Sequence, residues 1–136
     1  MKTDRLLLAA GALATLTALV HLFAGTPEIH QPLLASSLPT SISLMLLLCW
    51  HLVSVALAVS GVALLWCARP LNRSRAGAVP MVIGLMWLGF GAVCIAGGLW
   101  FQGLGGLATL PQWTLLLPVG ALAVLSARRA LAQVQR

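Results

Sequence analysis

The sequence predicts an all-α fold: an integral membrane four-helix bundle with short loops and both termini on the cytoplasmic side, N-in and C-in. Three observations lead there. The 136 residues are 60% apolar and only 7% charged, with a mean hydropathy of +1.02, whereas a soluble domain carries roughly a quarter charged residues to cover its surface. Four apolar runs reach the roughly 20 residues needed to cross a bilayer. All eight Lys and Arg residues (Lys2, Arg5, Arg69, Arg73, Arg75, Arg128, Arg129, Arg136) fall in three short clusters between those runs, and a cytoplasmic excess of Lys and Arg sets orientation.

The first span runs from Leu6 to Gly25, behind the charged stretch Met-Lys-Thr-Asp-Arg. A cleaved signal peptide is the rival reading of residues 1–25. The run is long for a signal core, and no good Ala-x-Ala follows it. The second span covers about Ile42–Ala68, and Pro70 marks its inner end because proline cannot continue a helix. The third covers about Ala78–Phe101. The short basic loop between them predicts that spans two and three are antiparallel neighbours. The fourth covers about Leu110–Ala127, opening near Pro111 and carrying Pro118 inside, where a kink and a freed carbonyl are expected. Loops 26–40 and 102–110 hold no basic residue and belong outside. The whole chain, residues 1–136, reads as one transmembrane domain.

Small residues form stripes at helical spacing. Gly11, Ala14, Ala18, His21 and Gly25 share one face of span one, and Leu47, His51, Ser54, Ala58 and Gly61 one face of span two. Gly77, Gly84, Gly91 and Gly98 repeat every seventh residue of span three. Such stripes let helices approach closely in lipid, where no hydrophobic force drives them together. Trp100 and Trp113 read as anchors at the outer interface and Trp66 at the inner one. Trp50 and Trp87 lie deeper and read as packing residues. Cys49, Cys67 and Cys94 read as buried free thiols.

The basic residues form no patch interleaved with aromatics, so nucleic acid is not an expected partner. Their placement fits anionic headgroups. The catalytic inventory is thin. Asp4 and Glu28 lie at opposite ends and cannot act as an acid–base pair, and no nucleophile or phosphate-loop motif is present. No Asp or Glu lies within a span, which removes the usual coupling group of a transporter.

The histidines carry what functional signal there is. His21 and His51 sit within small-residue stripes of antiparallel spans at similar depth, and a polar ring in hydrocarbon is costly unless satisfied. One reading makes them helix-bridging residues, bonded to each other, to Ser54 or to a freed carbonyl. A second adds His30 and Glu28 from the outer loop, giving three imidazoles and a carboxylate suited to Zn²⁺ or Cu²⁺, with Cys94 as a softer ligand. A third places haem between His21 and His51, although directly packed helices only 8–10 Å apart leave little room for a porphyrin.

A histidine in Val-His-Leu-Phe-Ala-Gly at the close of span one, followed by Cys-Trp-His-Leu-Val-Ser in span two, resembles a group of small four-span bacterial membrane proteins. The resemblance covers about the first half of the chain and implies a bacterial inner-membrane location without an assigned chemistry. In size and span count the bundle is also similar to the DoxX-like group, with no residue motif to carry over. The expected function is therefore a small non-catalytic inner-membrane protein, accessory or ligand-binding, with an outward-facing polar site of His21, His51, His30 and Glu28. A solute or ion transporter acting as an oligomer is the alternative. The expected partners are the lipid bilayer and either a second copy or another membrane protein.

Overall fold

A computed structural model describes residues 3–72 and 76–134. Those residues are helical throughout, with no strand among them. Helix α1 (Arg5–Leu19) continues through a π-helical segment (Val20–Gly25) into α2 (Thr26–Leu34); α3 spans Thr40–Ala68 and α4 Val79–Gln102. A 3₁₀ turn at Gly103–Gly105 leads into the short α5 (Gly106–Thr109), and α6 spans Trp113–Val134. Four segments are long and apolar enough to cross a membrane: Arg5–Leu34, Thr40–Ala68, Val79–Thr109 and Trp113–Gln133. This is the pattern of a multi-pass membrane protein.

Local chemistry places the helix ends. Asp4 caps α1, its Oδ1 accepting the Leu6 and Leu7 N–H groups at 3.0 and 3.2 Å, which are donors no helical carbonyl can satisfy. Pro39 precedes α3, and α3 stops at Arg69, whose extended backbone (ψ 140°) is what a following proline imposes. Pro80 occupies the first turn of α4, where its missing N–H costs nothing. Gly103, at φ +59°, ends α4 in a conformation that favours glycine. Helix α6 runs through Pro118 without a break.

The segment expected to form a loop over residues 26–40 is in part helical. Residues 26–34 are helical rather than irregular, because Pro27 falls in the first turn of α2, where proline is compatible. The Arg5–Leu34 segment therefore spans 30 residues, about 45 Å at 1.5 Å per residue, and outreaches a hydrocarbon core of about 30 Å.

Close backbone contacts decide which helices are neighbours. On α4, a Cβ at Gly84 would stand 3.0 Å from the Gly120 carbonyl oxygen of α6, one at Gly91 would strike Leu117, and one at Gly98 would meet the Gly106 carbonyl at 2.9 Å. These are three members of the glycine heptad. The fourth, Gly77, serves a positive-φ turn instead. Gly11 of α1 lies against Leu65 of α3, and Gly61 of α3 against Thr15 of α1. The packing order is α3–α1–α6–α4. The expected pairing of spans two and three is thus corrected: α3 and α4 barely touch, because their small-residue faces mate with α1 and α6. The core between these helices centres on Leu7, Ala10, Ala14, Leu64, Trp87, Val119 and Ala123.

At the end carrying Arg5, Arg69, Arg128 and Arg129, one carboxylate ties three helices. Asp4 is only 6% exposed. Its N–H donates to the Ala68 carbonyl of α3 at 3.1 Å, and its Oδ2 accepts the Ser126 hydroxyl of α6.

Opposite effects are expected for two Gly→Ala changes. Gly120→Ala places a methyl 2.7 Å from the Gly84 carbonyl oxygen and should destabilise the bundle by about 1–3 kcal/mol, the usual cost of overpacking. Gly89→Ala meets nothing within 4 Å and should stabilise α4 by about 0.5–1 kcal/mol through helix propensity. Thermal unfolding in detergent reads both.

Candidate functional site

The opposite end of the bundle holds a compact group of aromatic and imidazole rings between the α1–α2 rod and α3. Its geometry begins with the π-helical segment. In an unbroken α-helix, His21 and His30 would stand nine residues and about 180° apart, on opposite faces. A π turn takes one residue more than an α turn and removes about 100° of that rotation. His21, Thr26 and His30 consequently all address α3, and all three are half-buried.

Trp50 of α3 is the centre of the group. The His21 ring stacks on its indole, with centroids 3.9 Å apart and planes 16° from parallel. The indole N–H donates to Thr26 Oγ1 at 3.2 Å. The edge of the indole lies over Gly25, where a Cβ would come within 2.8 Å of the ring. The Trp50 carbonyl is shared. Ser54 Oγ donates to it at 3.1 Å, and His21 Nε2 lies 3.3 Å from it. Because a carbonyl only accepts, Nε2 is the donating nitrogen in this contact.

His30 and His51 form the second half. Their rings meet edge to face, with centroids 5.1 Å apart and planes at 79°. His30 also lies edge-on to Trp50, at 6.1 Å. His51 is exposed on the flank of α3. His30 Nε2 is buried and has no hydrogen-bond partner, a condition that costs about 1–3 kcal/mol when nothing fills it.

The structure brings together three of the residues singled out from sequence and leaves two apart. His21 meets Trp50 rather than His51, and His51 meets His30. Glu28 is exposed on α2 away from the rings. Cys94 of α4 packs against the hydrophobic core. Among the described residues, no three His, Cys, Asp or Glu side chains converge in metal-ligating geometry. As for a haem ligated by His21 and His51, His21 Nε2 is engaged with the Trp50 carbonyl at 3.3 Å. Trp50, assigned to packing from its depth, is instead the hydrogen-bonded hub. The signal available in the sequence was its position directly before His51.

Trp50→Phe keeps part of the stacking surface but loses the N–H bond to Thr26 and the ring edge over Gly25, so it should cost about 1–3 kcal/mol. Trp50→Ala removes the platform for both His21 and His30 and should cost about 3–5 kcal/mol. Unfolding midpoints in detergent check the difference. No protein-family model, no curated protein and no solved structure matches the chain.

Proposed function

We propose that this chain is a small non-catalytic protein of the bacterial inner membrane, with both termini in the cytoplasm, that binds a ligand at its outward-facing end through His30 and His51. The favoured ligand is a transition-metal cation, Zn²⁺ or Cu²⁺, for which imidazole is a suitable donor. One observation carries the reading: the buried, unpartnered Nε2 of His30 beside the accessible ring of His51. His21 has a different role. Its contacts with Trp50 resemble the interhelical polar bonds that hold membrane bundles together. Two imidazoles leave coordination positions open to water or to a further donor, as in zinc sites that exchange ligands.

The orientation rests on the basic residues. Arg5, Arg69, Arg128 and Arg129 lie at one end, and the histidines lie toward the other. A cysteine introduced at Ser36 should react with an impermeant thiol reagent from outside the cell, and one at Ser74 only after the inner face is exposed. The reverse pattern would overturn the orientation.

Metal analysis and the visible spectrum of one purified sample test the ligand. About one Zn or Cu per chain is expected. His30→Ala and His51→Ala should each weaken metal affinity at least about tenfold, equivalent to ~1.4 kcal/mol, while His21→Ala lowers the unfolding midpoint and leaves a metal site. Substoichiometric metal in the unmodified protein would sink the metal assignment. A Soret band would replace it with haem.

A further inference from the structure

Helix α3 gives the lipid its largest face. Only 11% of its most apolar window is buried, against 33% for the first span, 22% for the third and 39% for the fourth. That face is not smooth. Ala58, Val59, Val62, Ala63 and Trp66 line a furrow of about 430 Å³. Ala58 and Ala63 contribute only methyl groups to this open furrow, and Trp66 lies about 12 Å along the axis from Ala58. The lining is apolar except for the indole N–H.

The furrow is aimed at a positive charge. Val59, Val62, Trp66 and Arg69 follow at intervals of three, four and three, which is one stripe of a helix. Arg69 is exposed at the end of α3, level with Asp4, whose N–H bonds to the Ala68 carbonyl beside it. Trp66 is 43% exposed at the same end, the depth at which indoles favour the headgroup boundary. An open apolar furrow on α3, an interfacial tryptophan and an arginine thus follow one another along a single line.

We propose that this furrow binds an anionic phospholipid of the cytoplasmic leaflet, with one acyl chain along Ala58, Ala63 and Trp66 and the phosphate on Arg69. Basic residues at the cytoplasmic ends of spans recruit anionic headgroups, and a lipid without a compensating ammonium keeps its full attraction for Arg69. A second copy of the chain suits the same face less well. Two copies inserted in the same orientation and joined by this face about a two-fold axis would set Arg69 against Arg69, and like charges across an interface are unfavourable. The assignment rests on the membrane embedding and orientation proposed above.

Native mass spectrometry of the detergent-purified full chain, titrated with phosphatidylglycerol or phosphatidylethanolamine, provides the test. Phosphatidylglycerol should be retained preferentially. Arg69→Gln should weaken its retention about fivefold, the effect of one arginine at an anionic surface, and leave phosphatidylethanolamine unchanged. The double variant Ala58→Leu with Ala63→Leu fills the furrow from the lipid side, away from the α1 seam, and should weaken phosphatidylglycerol retention with Arg69 intact. Equal retention of the two lipids would overturn the proposal. So would an effect of Arg69→Gln alone, which would mean charge adsorption without a groove. Loss of a dimer in the filled variant, with lipid retention unchanged, would assign the face to a second copy. Labelling at Ser36 and Ser74 separates the two layers: normal labelling without lipid selectivity defeats the lipid site alone, and reversed labelling defeats the orientation beneath it.

Discussion

Close approach of helix backbones is the constraint on which the rest of this bundle depends. In lipid, burying another leucine gains nothing over leaving it among acyl chains, so contact must be tight to be favourable. Gly84 and Gly120 provide that contact between α4 and α6, and Gly11 and Gly61 between α1 and α3. Those seams leave α3 and α4 at the two ends of the packing order. They also expose the flank of α3 that carries both His51 and the furrow near Trp66.

The two ends of the molecule solve the problem of polar groups in different ways. At the basic end, Asp4 joins α1, α3 and α6 through directed bonds: two helix-capping contacts, the Ser126 hydroxyl and its own N–H on Ala68. A buried carboxylate is tolerable only when surrounded in this way. At the histidine end, the Trp50 carbonyl and indole satisfy His21, Ser54 and Thr26, yet His30 Nε2 is left over. The first end is closed as a lock. The second retains a buried nitrogen without a hydrogen-bond partner.

Much of this was legible in the sequence because membrane insertion writes itself in composition. The four apolar runs and the glycine heptad are patterns of residue type and spacing, and Gly84 and Gly91 do form a seam with α6, whereas Gly98 packs on Gly106 of α5 and Gly77 lies in a turn. Mating was not legible. Which stripe meets which depends on the shapes of two surfaces at once, and loop length alone misassigned α3 and α4 as neighbours. The histidines stood out because a polar ring at depth needs a partner. Their companions were harder to choose. Glu28 and Cys94 have suitable donor atoms but lie on the wrong faces, whereas Trp50 and Thr26 looked ordinary. Asp4 was read only as a terminal charge, because nothing in the sequence announces a partner as distant as Ser126.

The π-helical segment has a consequence for how chain length can vary. It holds one residue more than an α-helix requires, so the portions before and after it obey separate helical phases. Losing one residue between Val20 and Gly25 would close the excess while leaving both flanks facing as they do now. Losing one between Thr26 and Ile29 would turn His30 away from α3 by about 100°. The segment is therefore the place in the first span where a deletion preserves meaning. In the first span it acts as a comma between two helical phases.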